Sequence, residues 1–212
     1  MVLRLYLMRH GETRFSQTGG YCGALDVALT EAGQAMAQAF AEAYQDLPWA
    51  AIYCSPMQRT QATAAPIAQA TGLVPQLREG LREINYGQWE GKQREEIQQT
   101  LTDDYHHWMT EPAWNSPTGG ETAVEIANRA MAVIAEIEGQ YTDGNVLVVS
   151  HKATLRIILC SLLGIDLGRY RDRLDYPTAS LSVVRFDQYG PLLERMGDRA
   201  HLPQVLRDRE GT

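Results

Sequence analysis

Short, nearly unbroken apolar runs recur along the chain at Val2 to Met8, Ala50 to Cys54 and Asn145 to Val149. Runs of this length without alternation predict strands covered on both faces, as in a parallel sheet. Between them the apolar positions fall at helical spacing. Met36, Ala39, Phe40, Ala43 and Tyr44 form one stripe, and Ala127, Ala130, Met131, Ile134 and Ile137 form another. Both read as core-facing faces, not as cofactor boxes. Ala153 to Leu163 reads as a further apolar helix. Near the end, Leu181 to Phe186 and Pro191 to Met196 flank Gln188-Tyr189-Gly190 and predict a hairpin that closes a sheet edge. Strands alternating with helices predict an α/β fold, a three-layer α/β/α sandwich whose central sheet is mostly parallel with one antiparallel strand.

Each early strand stops at chemistry. The first ends in Arg9-His10-Gly11-Glu12-Thr13. The second runs into Ser55-Pro56, a good N-cap followed by a residue suited to the first helical position, which places Arg59 on the first helical turn. The third ends in Ser150-His151. In open α/β sheets ligands bind in the crevice beyond the carboxyl ends of the strands, so Arg9, His10, Arg59 and His151 are expected in one crevice. A histidine beside fixed positive charge suits an anionic substrate.

Composition narrows the partners. The chain has 212 residues, 44% hydrophobic, and reads as a single domain over 1–212. Its net charge of −7 disfavours nucleic acid, because a phosphate backbone needs a basic face. No apolar run is long enough to cross a bilayer, and the amino terminus lacks the pattern of a secretory signal. Cys22, Cys54 and Cys160 are few and unpatterned, as expected of reduced thiols in a cytoplasm. His106-His107 carries no ligand spacing with other residues, so no metal is expected.

The four segments Arg9-His10-Gly11, Ser55 to Ala64, Glu83 to Gly91 (Glu-Ile-Asn-Tyr-Gly-Gln-Trp-Glu-Gly) and Ser150-His151 occur in the order seen in the histidine phosphatase superfamily, the group that includes cofactor-dependent phosphoglycerate mutases. The chain resembles that superfamily over most of its length. The resemblance implies a phosphoglycerate mutase-like fold with His10 as the nucleophile that takes up the phosphoryl group. Neutral imidazole suits this role, since its ordinary pKa is about 6.5. Arg9 and Arg59 would hold the phosphoryl oxygens with planar forks, and His151 would donate to them in its protonated form. Glu83 would protonate the leaving alkoxide and then take a proton from the attacking water.

Some positions depart from the pattern. Ser16 stands where many members have an Asn that contacts the phosphoryl group. Cys22-Gly23 replaces the Ser or Thr before Gly of the mutases, and Lys152 follows His151 where Gly is common. Ser16, Cys22, Gly23 and Lys152 are therefore expected on the phosphate site with weaker or altered contacts; Lys152 adds a cation at the mouth or points to solvent. Ile84 occupies the place of a mutase Arg, and Lys92 to Thr118 holds only Lys92 and Arg94 as strong cations. That favours hydrolysis over phosphoryl return.

The expected activity is a metal-independent phosphatase, without cofactor, acting on a small phosphate ester through phospho-His10. A phosphoglycerate mutase and a non-catalytic phosphate-binding regulatory protein are the alternatives, and a homodimer is left open. Residues 92–120, rich in aromatic and turn-forming residues, are expected to be either a lid over the substrate or a cover for the sheet edge. Gly120-Glu121-Thr122 opens a helix and serves as a cap or as an anion contact. The tail after about residue 197 is polar and expected to be mobile.

Overall fold

The computed structural model describes residues 2–209. Six strands form one sheet: β1 (Leu3–Arg9), β2 (Trp49–Cys54), β3 (Gln76–Leu77), β4 (Gly144–Ser150), β5 (Leu181–Asp187) and β6 (Gly190–Asp198). Their order is β3-β2-β4-β1-β5-β6, and β5 alone runs against its neighbours. The helices are α1 (Arg14–Thr18), α2 (Glu31–Tyr44), α3 (Gln58–Thr71), α4 (Arg94–Thr100), α5 (Thr102–Thr110), α6 (Ala123–Gln140), α7 (Lys152–Leu163), α8 (Tyr170–Arg173) and α9 (Gln204–Arg207).

The period of two within each strand divides the core between two faces. Leu3, Leu5 and Leu7 of β1 pack with Val146 and Val148 of β4 against Ile126, Ile134 and Ile157 of α6 and α7. Met8 and the alternate β4 residues Leu147 and Val149 pack the other way, against Met36, Phe40 and Ile67 of α2 and α3. Both sheet faces are therefore covered, which is why these strands carry continuous apolar runs. Of the predicted α2 stripe, Met36 and Phe40 are buried but Ala43 is exposed; Ala37 and Ala41 take the inner positions.

Register sets the site. Arg9 lies opposite Ser150, and Cys54 lies opposite Val149, so β1, β2 and β4 end level with one another. From there the chain leaves β1 towards the α2–α3 layer and leaves β4 into α7 on the other face. The crevice between β1 and β4 is thus a topological switch point.

Two expectations change. Ser55 does not cap α3; the helix starts at Gln58 with Met57 as N-cap, and the buried Ser55 hydroxyl is turned to His151. The tail does not hang free through residue 209, because Leu202 is buried in the α2–α3 core and the Arg209 guanidinium reaches the Glu12 carboxylate at 2.8 Å. Residues 210–212 of that tail lie outside the described residues.

Candidate active site

A cavity of about 510 Å³ opens over the level strand ends, and Arg9, His10, Arg59 and Glu83 line it. The amide of His10 extends the β1–β4 ladder by donating to the Ser150 carbonyl at 3.0 Å. This brings the rings of His10 and His151 to 5.2 Å between centroids. His10 Nδ1 lies 2.7 Å from the Gly11 carbonyl oxygen. A carbonyl can only accept, so Nδ1 carries the proton and Nε2 is left with its lone pair. Burial, then the charges of Arg59 and Arg9, push the His10 pKa well below its ordinary value, so the ring is neutral at physiological pH.

The backbone around His10 is fixed from two sides. A Cβ at Gly11 would collide with the Gly33 carbonyl, and the Gly11 amide donates to Thr63 Oγ1 of α3 at 3.0 Å. On the other side Ala179 donates its amide to the His10 carbonyl at 3.1 Å while holding φ at 53°, a strained backbone for a residue with a Cβ. Tyr176, in the same segment, accepts from Arg9 Nη1 at 2.7 Å through its carbonyl and donates its hydroxyl to the Leu7 carbonyl.

Arg9 and Arg59 are buried cations. Arg9 Nε has no hydrogen-bond partner among the described residues, and burial lowers the pKa to about 10, which leaves the guanidinium charged at neutral pH. Arg59 donates Nε to His151 Nδ1 (3.2 Å), Nη1 to the Leu25 carbonyl (2.7 Å) and Nη2 to the Gly23 carbonyl (2.9 Å). A guanidinium has five N–H donors, so Arg59 keeps two for a ligand.

His151 differs from expectation. It is fully buried behind Arg59 and is not in the cavity wall. Its Nδ1 accepts from Arg59, so the remaining proton sits on Nε2 and is donated to Ser55 Oγ at 2.8 Å. Burial and the charge of Arg59 lower its pKa well below 6.5, so in this state the ring is neutral, not protonated.

Glu83 sits at the start of α7. Its carboxylate accepts from the amides of Ile84 (3.0 Å), Ala153 (3.2 Å) and Thr154 (3.2 Å) and from Thr154 Oγ1 (3.3 Å). Amides at a helix N-terminus favour a negative group there. Arg129 of α6 holds the loop from behind, donating to the carbonyls of Gly80 and Arg82 at 2.8 Å and of Glu83 at 3.2 Å.

The remaining expected residues divide. Ser16 and Lys152 line the cavity; the Ser16 side chain also accepts from the Thr13 amide at 2.8 Å in a capping box. Cys22 lines it too, but its thiol donates to the Leu25 carbonyl at 3.6 Å and burial raises its pKa to about 11. Gly23 stands behind the wall, where its carbonyl holds Arg59 and its amide donates to the Glu90 carboxylate. From 92–120, Gln93, Arg94, Glu95 and Trp108 reach the cavity, while Ile97, Tyr105 and Trp108 pack on Trp89 as a small separate core. Thr122 and Glu125 form the capping box of α6, and the Glu121 carboxylate is taken by Arg129 and the Asn85 amide.

Sequence reasoning missed Arg156, Arg171 and Tyr86 in the wall. The available signal was the spacing of Lys152 and Arg156, four apart on one helix and hence on one face.

The profile of the histidine phosphatase superfamily (branch 1) matches residues 5–199. Phosphoserine phosphatase 1 of Hydrogenobacter thermophilus is 31% identical over 201 residues, covering 95% of each chain. The adenosylcobalamin/alpha-ribazole phosphatase of Escherichia coli is 30% identical over 162 residues, 76% of this chain and 80% of that protein. The solved structure of a mycobacterial glucosyl-3-phosphoglycerate phosphatase superposes with a TM-score of 0.84 at 25% identity, covering 93% of this chain and 99% of that one. The chain belongs to the histidine phosphatase superfamily.

Proposed function

From that membership we propose that the protein hydrolyses a small phosphomonoester through a phosphohistidine on His10. The observation that carries this reading is the neutral His10 ring, with Nδ1 tied to the Gly11 carbonyl and Nε2 unprotonated in a cavity that also presents Arg9, Arg59 and Glu83. Nε2 attacks phosphorus, the bond to the ester oxygen breaks, and protonated Glu83 gives its proton to the departing alkoxide. Glu83, now a carboxylate, takes a proton from water, whose oxygen attacks the phosphohistidine. The N–P bond breaks and inorganic phosphate leaves. Arg9 Nε and the two remaining donors of Arg59 stabilise the charge on the equatorial oxygens during both transfers.

His151 serves here by accepting from Arg59 on Nδ1 and so aligning that guanidinium; to donate to a phosphoryl oxygen itself, it would have to be protonated and to release Arg59. Ser16 completes the phosphate side of the cavity and Lys152 borders it where the wall passes to α7, while Gly23 acts through Arg59 and Cys22 through shape. Ile84, at the place of the mutase Arg, is buried in the core, which supports hydrolysis over phosphoryl return. Side-chain cations face the phosphoryl site, which supports a metal-independent reaction. Cys22, Cys54 and Cys160 as unpaired thiols support a reducing, cytoplasmic location.

The test is phosphate release from a panel of small esters in excess chelator. Release that survives chelation and is lost in His10→Ala is the expected result. Release from no ester, or isomerisation of phosphoglycerate without release, overturns the reading.

A further inference from the structure

One wall of the cavity carries more positive charge than a phosphoryl group requires. Lys152 and Arg156 project from the first two turns of α7, and Arg171 faces them from α8. None of the three is well neutralised. Lys152 has no hydrogen bond or salt bridge among the described residues. Among the described residues the one salt bridge of Arg156 is to Asp175, at 3.6 Å, and that carboxylate is 82% exposed, so water screens it. The Arg156 Nε is buried without a hydrogen-bond partner among the described residues. Arg171 lies 3.8 Å over the Trp108 ring, which orients its guanidinium, and it makes no hydrogen bond or salt bridge among the described residues. Among the described residues, Glu95 is the acid besides Glu83 that reaches this cavity.

Position separates this cluster from the phosphoryl site. Arg156 is three residues beyond Ala153, whose amide holds the Glu83 carboxylate, and so lies about 4.5 Å further along the helix axis at 1.5 Å per residue. A short carbon chain spans that distance. We propose that Lys152, Arg156 and Arg171 form a second anion subsite, and that the substrate is a small phosphomonoester bearing a further anionic group a few atoms from the scissile phosphate. This rests on the phosphatase reading above and adds the substrate class to it.

The crowding of like charge agrees. Burial, Arg9 and Arg156 lower the Lys152 pKa to about 8, and burial lowers that of Arg156. An anion bound among them relieves both costs. Planar guanidinium forks suit a carboxylate or a phosphate alike.

The test compares kcat/KM for phosphate release from 3-phosphoglycerate, glycerol 3-phosphate and glycerol 1,3-bisphosphate. The first two differ in little but a carboxylate against a hydroxymethyl group. A charge-assisted pair predicts at least a roughly tenfold preference for the anionic esters. That preference should collapse towards unity in Arg156→Met and in Arg171→Met. The better of the two anionic esters identifies the second group as carboxylate or phosphate. Equal rates on 3-phosphoglycerate, glycerol 3-phosphate and the bisphosphate, or a preference untouched by both substitutions, would overturn the subsite. Calorimetric binding of the same esters to His10→Ala reads the subsite without turnover. No release from the native enzyme would then defeat the phosphatase reading, while equal binding of all three would defeat the subsite alone.

Discussion

Replacing Glu83 with Gln separates its proposed acid and base roles. Glu83 Oε1 accepts from Ile84, Thr154 and the Thr154 hydroxyl, and Oε2 accepts from Ala153. An amide keeps one acceptor oxygen, so its NH₂ must face at least one backbone donor and leave that buried amide unpaired. The expected stability cost is about 1–3 kcal/mol. In a chain of this size that lowers Tm by roughly 2–4 °C per kcal/mol, so the variant remains folded at 25 °C. For an alkyl phosphate, loss of the proton donor should lower kcat/KM by about 10²–10⁴. An aryl phosphate whose phenolate leaves without help does not need that proton. Its kcat/KM, which reports steps through phosphorylation of His10, should stay within a few-fold of the native value, while its kcat falls because water has lost its base. Steady-state assays on the two esters, with circular dichroism as a folding control, give the ratio directly. Equal losses in kcat/KM on both esters would refute the donor role.

Other outcomes follow from burial and charge. His10, His151 and His201 are all shifted to low pKa, His201 to about 4, between the rings of Phe40 and Tyr44. The unfolded chain binds protons at these residues near pH 6.5 while the folded one does not, so stability should fall as pH drops below about 6.5, and His201→Phe should flatten the fall in Tm between pH 7 and pH 5. An unchanged slope would contradict this. Trp89→Ala removes the centre of the 92–120 core, where the indole N–H donates to Asp104 at 2.9 Å; chemical denaturation should show a loss of about 3–5 kcal/mol. Gly23→Ala would set a Cβ against the Ile84 carbonyl, costing about 1–3 kcal/mol, and should lower kcat more than Tm alone accounts for because Gly23 holds Arg59. Because Lys152 loses its charge near pH 8, KM for an anionic ester should rise as pH increases through that value, and Lys152→Met should remove the inflection.

The sheet and the crevice were legible because buried parallel strands carry unbroken apolar runs, and because Arg9, Ser55 and Ser150-His151 sit where those runs stop. Roles that depend on which way a side chain turns were not. Ser55 followed by Pro56 has the composition of an N-cap, yet a buried imidazole competes for its hydroxyl and wins. His151 reads as a cation beside a phosphate, but only the fold reveals that Arg59 donates onto its Nδ1. Arg171 belongs to a segment outside the recognised motifs, and Arg156, though close to Ser150-His151, stands four residues after Lys152 on a helix, where a lysine and an arginine look like a solvated face. The tail is polar throughout except for a few residues, so nothing local announced that Leu202 enters the core or that Arg209 pairs with Glu12. The strain at Ala179 has no counterpart in residue type; an alanine at φ 53° is imposed by the contacts around His10.

The central claim is the covalent intermediate on His10. Rapid mixing of the native enzyme with a ³²P-labelled ester, a quench in base and peptide mapping test it most directly. The account predicts a label that is stable to base, labile to acid, mapped to His10, and formed and lost fast enough to sustain turnover. Turnover with no label on His10, or with the label on another residue, would contradict it.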